Sequence, residues 1–282
     1  MRLLVFLGYL IPKNLVSFIL GVVVRIRLPS LVRKPLLKGF VKVFGIDMTE
    51  ASMKIDEYQT IEDVFTRELK TDARPIKGAI CSPADGKLTH SDSVKNSLAV
   101  QAKGIEYSLD ELVFGGESQS PSKLAWYTTI YLAPHNYHRV HSPVKGSLER
   151  VRYFPGQLWP VNQPFVRYVP KLFVRNERLV FDIKVQGEGY VYVVMVGALN
   201  VGRISAKSLP DFVTNSLERQ LGALKVEHFL GTPIPVEAGM ELGTFMLGST
   251  AVVVFEESIS SRYRILQTSK DRDIRVGETL LT

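Results

Sequence analysis

Apolar residues run almost unbroken over positions 3–24, but Pro12, Lys13 and Asn14 interrupt the run at its middle. A lysine at the centre of a bilayer costs about 2.5–3.5 kcal/mol on insertion scales, and each apolar half is too short to cross alone. The pattern therefore predicts two interfacial or re-entrant helical pieces. A cleaved signal peptide is a poor fit, because no small-x-small site follows the first apolar run. Leu36, Leu37, Phe40, Val41 and Phe44 then recur at helical spacing, with Lys34, Lys38 and Lys42 as a stripe beside them. Such a helix can lie flat on a membrane. Another helix is signalled by Thr60 as N-cap with Asp63 three residues on, followed by Ile61, Val64, Phe65 and Leu69 on one face.

From Ile80 onward the texture changes to short apolar runs punctuated by Gly, Pro and Asn. Strands are predicted at Trp126 to Leu132, Leu148 to Tyr153, Leu179 to Val185, Tyr190 to Val196, Thr250 to Phe255 and Tyr263 to Gln267. One later helix is predicted, from about Asp211 to Phe229. The fold class is α+β: a helical, membrane-associating region over 1–70 followed by a β-rich domain over 71–282.

Charge sharpens this division. The net charge is +7, yet residues 1–46 hold eight Lys and Arg and no acid, so the remaining 236 residues sum to −1. Basic character confined to the N-terminus and interleaved with large apolar residues suits anionic lipid head groups, not nucleic acid. A single cysteine, Cys81, excludes an intramolecular disulfide and any zinc site built on several cysteines.

Chemistry concentrates in three stretches. Near the C-terminus, Gly248-Ser249-Thr250 breaks a strand-like run with a flexible glycine followed by a hydroxyl nucleophile. Only glycine allows so close a backbone approach, so the Gly248 carbonyl can be strained against the Ser249 hydroxyl, as self-cleavage requires. Three of the five histidines fall in Ala133 to Pro143, which its two prolines confine to a turn running into a strand. Without a His-Glu-x-x-His pattern or suitable nearby acids, these imidazoles suit proton transfer better than a metal. Asp85 sits in the turn Pro83-Ala84-Asp85-Gly86. Together Asp85, His141 and Ser249 make an acid, a base and a hydroxyl, which activates serine whatever the order in the chain. The Gly-x-Ser-x-Gly elbow of a serine hydrolase is absent. His138 lies an odd three residues from His141, which along a strand sends the two to opposite faces unless the turn rotates one of them back.

These residues resemble the phosphatidylserine decarboxylase family. The resemblance is carried by Gly243-x-Phe245 with Gly248-Ser249-Thr250, by Ala133-Pro134-x-x-Tyr137-His138-Arg139-Val140-His141-x-Pro143, and by the Asp85 turn. Phe65-Thr66-Arg67, Arg74-Pro75-Ile76, Gln101-Ala102-Lys103-Gly104 and Val196-Gly197-Ala198-x-x-Val201-Gly202 belong to the same ordered set, which runs from about residue 60 to 255. Asn136 stands where the family usually has Asp, and Ala238 where a Lys is frequent.

The resemblance implies that Asp85 orients His141, that His141 deprotonates Ser249, and that Ser249 attacks the Gly248 carbonyl. The chain then divides into a 1–248 β chain and a 249–282 α chain, and Ser249 becomes a pyruvoyl group. That covalent cofactor forms a Schiff base with phosphatidylserine and serves as electron sink for its decarboxylation to phosphatidylethanolamine, with His138 reprotonating the carbon. It also implies a homodimer. The basic, apolar N-terminus suits contact with an anionic membrane surface, and the absence of an evident cleaved presequence favours a peripheral place on the cytoplasmic face of the inner membrane.

Overall fold

A computed structural model describes residues 5, 8–102, 105–116, 123–199, 203–215, 226–246, 249–263 and 271–281. Gly248, Lys103 and Gly104, Val201 and Gly202, 216–225 of the expected late helix and 264–267 of the expected last apolar strand lie outside the described residues.

Helix α1 (Lys13–Val23) follows the break at Pro12, and α2 (Ser30–Phe44) ends at Gly45, whose left-handed φ of 65° is a C-terminal stop that glycine adopts without strain. No helix among the described residues is long and apolar enough to cross a membrane. Helix α1 is amphipathic in the reverse of the usual sense. It buries Lys13, Ser17 and Gly21 against the body and exposes Leu15, Ile19, Val22 and Val23. Lys13 points inward: its Nζ donates to the Gly8 carbonyl at 2.7 Å and lies 4.1 Å from the Trp159 ring centroid. Helix α2 buries only Leu37, which joins Ile46, Tyr58 and Val64 in a small core, and Leu31, Val32, Val43 and Phe44 face out.

Helix α3 (Ile61–Phe65) begins with the expected capping box: the Asp63 N–H donates to Thr60 Oγ1 and the Thr60 N–H to Asp63 Oδ2, each at 3.0 Å. It is shorter than the pattern suggested. The Thr66 hydroxyl turns back onto the Glu62 carbonyl, and Leu69 forms a bridge with Ala51 instead of a further helical turn.

The strands among the described residues are β1 (Ile80–Cys81), β2 (Gly86–Ser93), β3 (Leu98–Ala102), β4 (Ile105–Ser108), β5 (Leu124–Leu132), β6 (Arg139–His141), β7 (Gly146–Phe154), β8 (Arg178–Val185), β9 (Gly189–Val196), β10 (Ile204–Ala206), β11 (Leu209–Val213), β12 (Val226–Val236), β13 (Glu241–Phe245), β14 (Ser249–Glu256), β15 (Arg272–Ile274) and β16 (Thr279–Leu281). The main sheet is antiparallel with order β12-β7-β8-β9-β14-β5-β2-β15, and a second sheet has order β11-β10-β13-β6. Segments 211–213 and 226–229 of the expected late helix are strand: β11 pairs with β10, and β12 pairs with β7 from Val226 opposite Tyr153 to Val236 opposite Gly146. Pairing to a neighbouring strand overrides local helical preference there.

Two cores flank the main sheet. Ala251, Val253 and Phe255 of β14 face the core shared with the second sheet; Val252 and Val254 face the core covered by α4 (Leu109–Phe114) and Leu172 and Phe173 of a later helical turn. Every residue of β14 is buried, as expected for a central strand covered on both faces.

Candidate active site

The chain crosses between the two sheets twice at one corner. Strand β14 starts at Ser249 opposite Leu132, the last residue of β5. Strand β13 ends at Phe245, whose N–H donates to the His138 carbonyl at 3.0 Å. These two pairings set the ends of the connection from Leu132 to His138 and of the one from Phe245 to Ser249 beside one another. They bring the histidine stretch and the nucleophile together although more than a hundred residues separate them.

The Ala133–Tyr137 turn has a built-in lock. Asn136 Oδ1 accepts from the Ala133 N–H at 2.8 Å, an Asx-type bond that an aspartate at this position could equally make. Beneath it Arg67 is buried, its two Nη groups aimed at the carbonyls of His135 and Asn136.

His138 and His141 have different surroundings, although His138 precedes β6 and strand alternation does not set its direction. His138 is 0% exposed, its ring centroid 3.8 Å from that of Phe65, and neither ring nitrogen has a hydrogen-bond partner among the described residues. Burial, reinforced by the Arg67 charge, pushes its pKa down to about 3. Ser249 Oγ and Thr250 Oγ1 are likewise buried without a partner among the described residues. Such orphaned polar groups are costly, and a catalytic role is one reason for a fold to keep them.

His141 faces a polar recess of about 280 Å³ that Lys70, Asp72, Arg74, Tyr137 and Glu241 also line. Its Nδ1 is 2.8 Å from the Gly239 carbonyl and its Nε2 3.1 Å from the Tyr137 hydroxyl. A carbonyl only accepts, so Nδ1 carries the proton, Tyr137 donates to Nε2, and the basic nitrogen is capped by a phenol. Burial lowers the His141 pKa, while the Gly239 bond and the Glu241 and Asp85 charges act to raise it.

The expected Asp85–His141 hydrogen bond is not made in this structure. The backbone brings the two close, since the His141 N–H donates to the Pro83 carbonyl at 2.8 Å. The carboxylate, however, is held by the Arg74 fork, Nε to Oδ1 at 3.0 Å and Nη2 to Oδ2 at 2.6 Å, and by the Val276 N–H at 2.8 Å. Arg74 also bonds Glu50, which in turn accepts from Arg275. A bidentate guanidinium outcompetes an imidazole for a carboxylate, so Asp85 acts on His141 here through its charge. Gly86 is required for close approach and not for its torsion angles: a Cβ there would sit 2.4 Å from the Tyr131 carbonyl oxygen. No hydrogen bond joins Ser249 to either histidine among the described residues. Arg74, Tyr137, Phe65 and Arg67 all lie within the motifs noted in the sequence, but nothing in their spacing pointed to these contacts. A larger groove of about 580 Å³, lined by Ile80, Val144, Ile259 and Tyr263 among others, is built from none of these residues.

The family profile for phosphatidylserine decarboxylase matches residues 61–282. The phosphatidylserine decarboxylase proenzyme of Alcanivorax borkumensis is 39% identical over 265 residues, covering 91% of this chain and 88% of that protein. That of Anaeromyxobacter sp. is 40% identical over 252 residues, covering 88% and 87%, and that of Bordetella pertussis 36% identical over 280 residues, covering 96% and 91%. With a profile that spans Asp85, both histidines and Ser249, and with relatives matched along nearly their whole length, the chain belongs to the phosphatidylserine decarboxylase family.

Proposed function

We propose that this chain is made as a precursor, cleaves itself between Gly248 and Ser249, and then converts phosphatidylserine to phosphatidylethanolamine at a membrane surface. The observation that carries this reading is Ser249 itself: a buried hydroxyl with no partner among the described residues, first in the central strand β14, at the corner where the histidine stretch crosses between sheets.

In the cleavage step Ser249 Oγ gives its proton to His141 and bonds the Gly248 carbonyl carbon, and the peptide C–N bond breaks to leave an ester. Loss of the Ser249 α-proton then breaks the Cβ–Oγ bond, releasing residues 1–248 with a new carboxylate. The dehydroalanine left at 249 takes up water and loses ammonia, which makes the pyruvoyl group. Asp85, held by Arg74, supports the positive charge that His141 acquires.

The surroundings fit such a group. Position 249 is buried, its backbone is fixed by pairing with Leu132, and apolar strands on either side exclude water. When formed, the group supplies an electrophilic carbonyl to receive the electrons of the departing carboxyl. His138, uncharged and buried beside Phe65, has one N–H to give to the substrate α-carbon and one lone pair to recover a proton.

The reversed amphipathicity of α1 and the outward apolar residues of α2 support a peripheral membrane position, and the exposed lysines of α2 an anionic surface. We place the protein on the cytoplasmic face of the inner membrane. A homodimer, implied by the family resemblance, is tested by its mass in detergent solution. Intact mass spectrometry of the purified protein tests the central claim. Two chains are expected whose masses sum to the precursor plus one water less one ammonia, and Ser249→Ala should remain one chain. A single wild-type chain labelled at Ser249 by a fluorophosphonate marks a serine hydrolase instead. A single unlabelled chain that binds vesicles marks a non-catalytic lipid-surface protein.

A further inference from the structure

Among the described residues, a cluster of charges lies where the membrane-facing helices meet the strand that leads to Ser249. Arg203 accepts the Met246 N–H on its carbonyl at 3.0 Å, which places it beside the segment just before the nucleophile. Its side chain reaches under α1, where a Cβ on Gly21 would lie 3.5 Å from Arg203 Cδ. Glu62 of α3 and Arg25, just past α1, complete the cluster. Arg25 Nε donates to the Gly21 carbonyl and is 3.8 Å from Glu62 Oε2.

This cluster is incompletely bonded. Arg203 Nη1 and Glu62 Oε2 are both buried without a hydrogen-bond partner. Four other arginines, Arg33, Arg67, Arg152 and Arg272, also carry a buried, unbonded Nε. Each of those four has an Nη engaged, with Gln59, with the His135 and Asn136 carbonyls, with Asp182 and with Glu278 respectively. Arg203 has no side-chain hydrogen bond among the described residues, and the Glu62 charge acts on it from beyond contact distance. Glu62 faces both guanidiniums, so two positive charges share one carboxylate, and the open donor is Arg203 Nη1.

We infer that Arg203 receives the phosphodiester of the lipid head group, with Arg25 and Glu62 as its supporting charges. This rests on the decarboxylase reading above and deepens it. A phosphodiester offers two non-bridging oxygens that match the guanidinium fork. The substrate carboxylate is the wrong occupant, because it departs as neutral CO2 and a cation bound to it would stabilise the ground state against the transition state. The phosphodiester keeps its charge from substrate to product. Its place also fits, since the acyl chains belong with the exposed apolar residues of α1 and the amine must reach position 249.

The test uses the full chain in mixed micelles, comparing CO2 release from phosphatidylserine and from an O-alkylserine that lacks phosphate. Arg203→Gln should still be processed to two chains. Its KM for phosphatidylserine should rise about 30-fold with kcat within about threefold, the range expected for losing a charge-assisted hydrogen bond. Turnover of the O-alkylserine should not change. Arg203→Lys keeps the charge and loses the fork, so a rise of about tenfold is expected; it serves as the variant of record if Arg203→Gln is not processed. Glycerophosphate esters should compete with phosphatidylserine in the wild type and much less in either variant. An unchanged KM, or equal damage with both substrates, overturns the assignment of Arg203 and leaves the decarboxylase reading standing. Wild type that releases CO2 from neither compound overturns the decarboxylase reading itself.

Discussion

His138 is kept uncharged by its surroundings, and this has a consequence for stability. Its folded pKa is about 3, against about 6.5 for a free histidine. Between those values the unfolded chain binds a proton that the folded chain excludes. Stability is therefore at its full value above about pH 6.5 and falls as pH drops towards 3, by at most about 1.4 kcal/mol per pH unit from this one group. His138→Phe, which cannot titrate and can stack on Phe65, should show a shallower decline of Tm between pH 6.5 and 4. Parallel declines in the two proteins refute the excluded proton. The two histidines are also separable by processing. His141→Ala and Asp85→Asn should remain largely one chain, whereas His138→Ala should be cut, carry pyruvoyl and turn over poorly. The reverse pattern exchanges the two roles. The odd spacing of these histidines suggested different surroundings, but His138 lies outside β6, so its packing on Phe65 and not strand alternation separates it from His141. The sequence did not reveal that Arg74 holds Asp85 or that Tyr137 caps His141, because those bonds depend on how distant segments fold together.

At the scale of elements, the parts that local rules govern were the readable ones. The Thr60 capping box forms as its spacing predicted, and the strands at 124–132, 146–154, 178–185, 189–196 and 249–256 contain the predicted runs. The late helix was misread at 211–213 and 226–229 because strand pairing, which local periodicity does not encode, decides those residues. The inward turn of Lys13 was equally hidden, since it depends on Trp159, far along the chain. Helix α3 matters beyond its length because Phe65 at its end covers His138. Thr60→Ala should cost about 1 kcal/mol by loss of the cap, seen as a Tm lower by a few °C. If α3 positions Phe65, the same variant should reduce decarboxylation after normal processing. Activity per processed chain equal to wild type confines the cap to a stability role.

The whole molecule shows why a cleaved chain need not come apart. Residues 249–281 supply β14 to the middle of the main sheet, β15 to its edge against β2, and β16 against β1. Val276 and Arg275 further tie this piece to Asp85 and Glu50. The two chains should co-elute in native size exclusion and separate only on denaturation; a freely released C-terminal piece contradicts this architecture.

The proposed attachment to a membrane belongs to the same scale, because it would draw on both N-terminal helices at once. Two kinds of contact are on offer: the outward apolar rows of α1 and α2, and the cationic residues Lys34, Lys38 and Lys42, of which Lys38 is paired with Asp56 at 3.3 Å. A basic residue near an anionic surface contributes about 1 kcal/mol, and each buried apolar side chain about 1.5–3 kcal/mol. Replacing all three lysines by Glu should therefore weaken binding to anionic vesicles strongly, and high salt should release part of the wild type. Replacing Leu15, Ile19 and Val22 by Ser should weaken binding to neutral and anionic vesicles alike, with little loss of fold stability, because these side chains already face outward. Removing residues 1–46 should abolish both contributions. Vesicle flotation across a salt series separates them: binding that resists salt and survives the lysine changes rules out the electrostatic part, and serine variants that bind neutral vesicles as wild type does rule out the apolar part.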